Sequence, residues 1–509
     1  MNVHAQVDTL EAKGLIRVAA HRPELEYLFR HWLVQDAAYG SLLKQERREL
    51  HRQVGEALET LYPQRRNELA GILAMHFQQA GDTDKAIHYL VADARYALER
   101  NAIREAFRAA DDAARLLRPA SDEEPDEVRR VRVEVAILRA KAGLTFTPGE
   151  ETANELESVV SSAEQLGDLE LLAQLHLHLA LVRIEGGELA EDPSVKRSLD
   201  RLGELSEALD DPSLAALPLA MVAMNKVHTG PIREGVKALE LAIPMMERRR
   251  DFIGAAFARG WLAIGYSTLG EFPRAEEAVR EASRMAASGD LIAQLDAQIS
   301  EAMLRAAKGE LDLAVPLARA CVKQAEDTGA AACAVVSAWV LGDAYQRQGS
   351  FREAHEALSL GLGLERGMND AMWGPTLRAW LQANAATLGD PEAAEGGWEE
   401  PLATVRRTGN HMGEANLLWK RAESAARRER WEEAFVDYEA AARIFEAQGA
   451  RPNLARVLRG WGEALREAGR GDGDAGDVEL RRGLALFEAM GLEREAGEVR
   501  ESLAGSGSS

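Results

Sequence analysis

A six-residue pattern, a glycine and then an alanine with four residues between them, recurs along the chain at a nearly fixed interval. It reads GDTDKA from Gly81, GEFPRA from Gly270, GELDLA from Gly309, GSFREA from Gly349 and GDPEAA from Gly389. GPIREG from Gly230 is a close variant, and ERWEEA from Glu429 keeps Ala434 without the glycine. From Gly230 the steps to Glu429 are 40, 39, 40, 40 and 40 residues, and a further 40 reach Gly469. Gly187 and Gly143 continue the series upstream at wider spacing. A period this steady denotes a repeat array, whose units cannot hide their apolar faces until neighbours stack on them. Glycine takes the left-handed conformation that closes a helix, and the polar residues after it turn the chain and cap the next helix. The alanine then sits where two helices must come close. One repeat is predicted to be helix, tight turn, helix, and the fold class all-α, a superhelix of α-α hairpins.

Size and charge agree with this reading. A chain of 509 residues exceeds what one hydrophobic core supports, so several domains or an array are expected. Hydrophobic residues at 46% and charged residues at 28% suit a folded protein. The net charge of −22 repels phosphate backbones and anionic lipid, which speaks against nucleic acid and membrane as partners. Cys321 and Cys333 stand in alanine-rich helical text and read as small buried hydrophobes in a reducing compartment. No run of eighteen apolar residues occurs, and the opening MNVHAQVDTLEAKG has no long apolar stretch, so a cytoplasmic location is expected.

The text around each glycine is amphipathic. In AWVLGDAYQRQGSFREAHEAL, Leu341, Gly342 and Tyr345 precede Gly349, and Ala354 and Leu358 follow it. Leu262, Tyr266, Gly270, Ala275 and Val279 repeat the offsets, as do Leu73, Phe77, Gly81, Ala86 and Leu90. This resembles the tetratricopeptide signature, although 40 residues exceed its usual 34 and imply longer helices or turns. The repeats are expected over 61–504, with breaks at Pro119–Pro125, Glu191–Pro193 and Asp210–Pro212, a longer turn at Gly471–Gly476, and a flexible tail at 505–509.

Residues 1–60 do not follow the repeat. They read as a helix, a strand Ile16–Ala19, a turn through Arg22-Pro23, a strand Glu26–Phe29 and long helices, which resembles the end of a winged-helix domain plus linker helices. The run Phe29-Arg30-His31, Asp36-Ala37-Ala38-Tyr39, Leu42-Leu43, Arg47-Arg48, Leu50-His51 is similar to a stretch in bacterial signal-transducing ATPases with numerous domains. In that family it joins an ATPase and winged-helix region to a C-terminal tetratricopeptide superhelix, and effectors include adenylate cyclase, kinase and LuxR-type DNA-binding domains. The resemblance covers residues 1 to about 118 in detail and the remainder in architecture. The family's phosphate-binding loop, G-x-x-x-x-G-K-[ST], does not occur in this sequence. The resemblance therefore implies a sensor region whose ATPase lies elsewhere.

Motifs for chemistry are sparse. HExxH, CxxC and G-x-S-x-G are missing, and His176 and His178 point about 200° apart on a helix, too far to share a metal. Acidic pairs such as Glu432-Glu433 and the basic run Arg248-Arg249-Arg250 read as solvated helix faces and ends. No catalytic residue, cofactor or metal is expected.

The tetratricopeptide likeness implies that the first helix of each hairpin lines a concave groove. Counting from the Leu slot (Leu262, Leu341 and the equivalent Arg421), groove positions fall two before, two after and six after it. They select Trp339, Asp343 and Arg347, then Trp419, Glu423 and Arg427 two repeats on. Neighbouring hairpins add Met224, His228, Phe257, Ile264 and Met303. A groove lined by aromatic and Met side chains with a few charges suits a helix or an extended peptide. The competing expectation is a tightly wound superhelix whose repeats pack on these side chains. The leading functional reading is a non-catalytic binding scaffold and sensor for a protein, peptide or small ligand in the groove, with an upstream ATPase as a further partner. The alternatives are a free-standing adaptor bridging partner proteins, part of a transcriptional regulator or adenylate-cyclase-type multidomain protein, and an enzyme buried in the superhelix.

Overall fold

Almost every stretch of the chain between two turn signals is helical. The computed structural model describes residues 3–20, 26–100, 102–121, 123–143, 147, 149–185, 188, 192–211, 214, 216–248, 251–287, 291–328, 330–365, 373–390, 396–469 and 474–505. The Arg22-Pro23 turn, Gly187, Glu191, Pro212, Arg249-Arg250, Ala394, Gly471 and residues 506–509 of the expected tail lie outside the described residues. The chain forms two compact units, residues 1–123 and 124–509.

The first unit opens with α1 (Val3–Ala12) and an antiparallel hairpin of β1 (Ile16–Ala20) and β2 (Glu26–Phe29), in which Ile16 faces Phe29 and Val18 faces Tyr27. Five helices follow: α2 (Trp32–Ser41), α3 (Lys44–Leu61), α4 (Ala70–Ala80), α5 (Thr83–Glu99) and α6 (Ile103–Leu116). The linker helix α3 is fastened to the first repeat hairpin. A Cβ on Gly55 would stand 2.9 Å from the Phe77 ring, and Glu59 accepts hydrogen bonds from Tyr89 Oη at 2.6 Å and Lys85 Nζ at 2.7 Å. The linker helix and the first repeat hairpin thus share the first unit, which ends at Glu123.

The second unit starts with α7 (Asp126–Gly143), α8 (Gly149–Ser158), α9 (Val160–Leu166), α10 (Leu169–Glu185) and α11 (Pro193–Ala208). Seven inner helices come next: α12 (Ala216–Thr229), α14 (Phe252–Leu269), α16 (Leu291–Ala307), α18 (Ala331–Gln348), α20 (Gly374–Thr387), α22 (His411–Ala426) and α24 (Arg451–Glu467). Their outer partners are α13 (Ile232–Arg248), α15 (Phe272–Ala286), α17 (Leu311–Thr328), α19 (Phe351–Glu365), α21 (Glu399–Arg407), α23 (Trp431–Gln448) and α25 (Asp474–Ala489), and α26 (Glu493–Gly505) closes the series. The architecture is an all-α superhelix.

The hexamer works as its chemistry demands. Gly349 has φ +81°, and the N–H groups of Gly349 and Ser350 close α18 on the carbonyls of Gln346 and Tyr345. Ala86, Ala275, Ala314, Ala354 and Ala434 of the motif are fully buried. Gly342 is fixed by approach: a Cβ there would lie 2.5 Å from Leu358 Cγ, so α18 and α19 could not keep their spacing. Glu429, which replaces the glycine of the seventh turn, still adopts φ +58°.

The winding is tight. Each inner helix touches the next inner helix, and α12 and α14 also touch α22 and α24, five hairpins further on. One superhelical turn is thereby closed on itself. Arginines of α24 tie the turn: Arg451 Nε donates to Leu269 O at 2.6 Å and Arg456 Nη2 to Ala307 O at 2.7 Å. Those carbonyls end α14 and α16, where a helix has acceptors without internal partners and a negative dipole end. Cys321 and Cys333 are buried and form no disulfide. Among the described residues no helix is long and apolar enough to cross a membrane.

Candidate functional site

Closure of the turn leaves two neighbouring cavities in the second unit, one of about 130 Å³ lined mainly by inner helices and one of about 390 Å³ lined also by the starts of α17 and α19, by α23 and by α26. Trp339, Asp343 and Arg347, spaced by four on α18, present one stripe to this space. A ladder of rings runs along the smaller cavity. His228 stands 4.2 Å from Trp373, Trp373 stands 5.4 Å from Trp339, Trp339 stands 5.8 Å from Trp380, and Trp380 stands 6.3 Å from Trp419. Tilted and edge-to-face contacts at these separations are the favoured geometry of aromatic pairs. Trp380 Nε1 donates to Asp343 Oδ1 at 2.8 Å, which holds that carboxylate at the boundary of the two cavities.

Sequence-selected residues are divided by the structure. His228, Ile264, Met303 and Trp339 line the smaller cavity. Asp343, Arg347 and Trp419 line both, and Glu423 and Arg427 line the larger. Met224 is buried within the core, Phe257 packs half-buried against the same core, and they line neither cavity. Trp419 is only 7% exposed, so the aromatic side chains serve repeat packing and the cavity wall together.

The charged wall has a defined order. Glu495, 5% exposed on α26, offers Oε1 to Arg347 Nη2 and Arg456 Nη2, each at 3.2 Å. Arg347 also donates to Ala306 O. Burial and the neighbouring Arg347 pull the Arg456 guanidinium down to about 10, with Glu495 opposing them. Lys420 lies 4.3 Å from the Trp419 ring centroid and 4.9 Å from that of Trp380 while donating to Glu423 at 3.1 Å. Burial, helped by Glu467, Glu498 and Glu423 and opposed by Arg459, raises the Glu463 carboxyl above its ordinary range.

Several buried polar atoms along this space have no hydrogen-bond partner among the described residues. Trp339 Nε1, Trp419 Nε1 and Arg456 Nε are unmatched donors, and Asn416 Oδ1 and Glu495 Oε2 are unmatched acceptors. Each costs about 1–3 kcal/mol if left so. Among the described residues no three metal-binding side chains converge.

Sequence reasoning passed over Trp380, Trp373, Arg456 and Glu495. Trp380 falls 41 residues after Trp339 and 39 before Trp419, so the period marks it. Carrying the groove register one repeat further, to position 461, selects Arg459, Glu463 and Glu467, and all three line the larger cavity. Trp373 and Glu495 come from outside the register, and no local signal marks them.

No protein-family model matches the chain, and no curated protein matches it. Among solved structures it is similar to a Rap protein complexed with competence and sporulation factor, at 12% identity over 72% of this chain and 99% of that chain, with a TM-score of 0.54. At that identity the likeness establishes a shared helical-repeat fold and nothing about what is bound. The Cut9–Hcn1 hetero-tetramer of APC/C is 14% identical over 94% of this chain and 96% of that chain, with a TM-score of 0.49. A signal-transduction ATPase with numerous domains and a tetratricopeptide repeat sensor, from Pyrococcus horikoshii, is 15% identical over 91% and 74%, with a TM-score of 0.41.

Proposed function

We propose that the chain is a non-catalytic binding scaffold whose second unit holds a peptide segment of a partner protein in the channel inside the superhelix. One observation carries this reading. Among the described residues, unmatched buried donors (Trp339 Nε1, Trp419 Nε1, Arg456 Nε) and acceptors (Asn416 Oδ1, Glu495 Oε2) both belong to residues that line the two aromatic-walled cavities. A peptide backbone supplies both carbonyl acceptors and N–H donors at short intervals, and its side chains fill apolar pockets. A purely apolar ligand satisfies neither kind of atom. The larger cavity, about 390 Å³, lies within the size range of ligand sites. A similarly folded Rap protein is known in complex with competence and sporulation factor, so a fold of this kind can hold a bound factor.

Selection of random seven-residue peptides on the immobilised full chain tests the reading. Enrichment on the wild type that is lost with Thr387→Trp, which fills the larger cavity, is the expected result. No enrichment, or enrichment indifferent to the substitution, overturns it.

A finer reading rests on the family resemblance of the first 118 residues: the chain as the sensor region of a signal-transducing ATPase. It draws support from Trp32, Leu33 and Leu43, which are 69%, 61% and 70% exposed in the resembling stretch. Large apolar side chains gathered at a surface mark an interaction site. Metal-dependent ATP turnover by the pure chain would remove this reading.

A further inference from the structure

The larger cavity has an uneven charge balance that says more about its occupant. Its cations are nearly all engaged: Arg347 and Arg456 with Glu495, Lys420 with Glu423, and Arg459 and Arg494 with Glu498 at 2.6 and 3.3 Å. Arg427 lies against the Phe351 ring, 5.8 Å from its centroid. The carboxylates are less well served. Glu463 has one ion-pair contact, to Arg459 at 3.8 Å, and that arginine is held more closely by Glu498. Glu467 has no ion pair among the described residues. Both stand on one stripe of α24 with Gly460, spaced by three or four residues.

Two buried groups independently ask for a ligand at this wall. Glu495 Oε2 is a carboxylate oxygen without a donor, on a side chain more than nine-tenths buried. Tyr438, 3% exposed on α23, lines the cavity and makes no hydrogen bond among the described residues, and its hydroxyl feels the charges of Glu423, Glu463 and Glu467, with Arg427 opposing them. A Cβ on Gly460 would come within 3.2 Å of that hydroxyl, so glycine there keeps the approach to it open.

We infer that this end of the cavity is a receptor for a basic side chain, the guanidinium of arginine or the ammonium of lysine, on the bound segment, with Glu463 and Glu467 as counter-charges and the Tyr438 hydroxyl as an acceptor. The inference rests on the peptide reading above and names the chemistry of one anchor residue. Acceptors without donors, in a site where all the lining cations but Arg427 are already paired with carboxylates, are matched by a ligand that brings several N–H donors and a positive charge. The net charge of −22 also favours approach of a basic segment.

The test uses three seven-residue peptide libraries with the central residue fixed as arginine, as citrulline (the same shape without charge) or as glutamate, the other positions being random. Each is passed over immobilised full chain, and the retained peptide is weighed by mass spectrometry. On the wild type the arginine library should be retained about tenfold more than the citrulline library, the ratio a single charge-assisted hydrogen-bond set supplies. On Glu463→Gln/Glu467→Gln the ratio should fall to about twofold or less, and on Tyr438→Phe to an intermediate value, with unchanged melting of both variants. Equal retention of arginine and citrulline peptides, or preference for glutamate, overturns the basic anchor and leaves the peptide channel standing. Retention of none of the libraries overturns the channel reading and the anchor with it. A variant that melts early is replaced by Glu467→Gln alone, whose side chain is at the surface, and the same ratio is read.

Discussion

Glu495 Oε1 lies 3.2 Å from Arg347 Nη2 across 148 residues of sequence. The same oxygen meets Arg456, so one carboxylate on the last helix joins two inner helices that belong to different repeats. A buried ion pair adds little over a well-packed apolar substitute, but removing one partner strands the other charge. Glu495→Ala should therefore cost about 3–5 kcal/mol, read as a lowered urea midpoint. Adding Arg347→Met and Arg456→Met to it should recover most of that loss. Recovery would show that stranded charge, and not lost contact, is the cause.

The seventh hairpin turn contains a correctable strain. Glu429 sits at φ +58°, where every other turn of the steady series places glycine. An L side chain in that region costs about 1–2 kcal/mol, part of which glycine returns through its freer unfolded chain. Glu429→Gly should stabilise the protein by about 1 kcal/mol in chemical denaturation. A loss of stability would show that the Glu429 side chain makes a contribution larger than the strain.

The opposite change is predicted at Gly342. A methyl group there meets Leu358 at 2.5 Å, in a core that has no slack. Gly342→Ala should cost about 1–3 kcal/mol, despite alanine's better helix propensity. Circular dichroism melts of the two variants, run side by side, would separate turn conformation from helix approach.

The fold was legible in the sequence because turn and contact residues are local. Glycine at 40-residue steps and alanine five residues later state where each helix ends and what its partner requires. Part of the cavity wall was legible for the same reason, since Trp339, Asp343 and Arg347 follow the inner-helix register. Met224 follows that register too, and Phe257 lies one turn before it, yet they pack into the core and line neither cavity. Glu495 was illegible because closure of a superhelical turn depends on small rotations summed over five hairpins. No residue spacing records that sum.

His178 supplies a pH signature. It is 9% exposed, and its Nδ1–H donates to Gln174 O at 2.7 Å. Burial, opposed by this backbone bond, holds the imidazole down to about 4, well below the ordinary value of about 6.5. As pH falls, the unfolded chain takes the proton first. The stability is complete above about pH 6.5, declines as pH falls towards about 4, and is then level at roughly 3 kcal/mol less. His178→Gln keeps a donor for the Gln174 carbonyl and removes the titration. The difference in stability between wild type and variant should slope between those two pH values and be flat above them.

Hydrogen exchange of the full chain, with and without a peptide enriched by the random selection, tests the channel most directly. The account predicts added protection in residues 339–348, 412–427 and 456–467, the inner-helix segments that line the two cavities. Protection confined to outer-helix stretches that line neither cavity, 353–365 and 440–448, would place the bound segment outside the channel and contradict it.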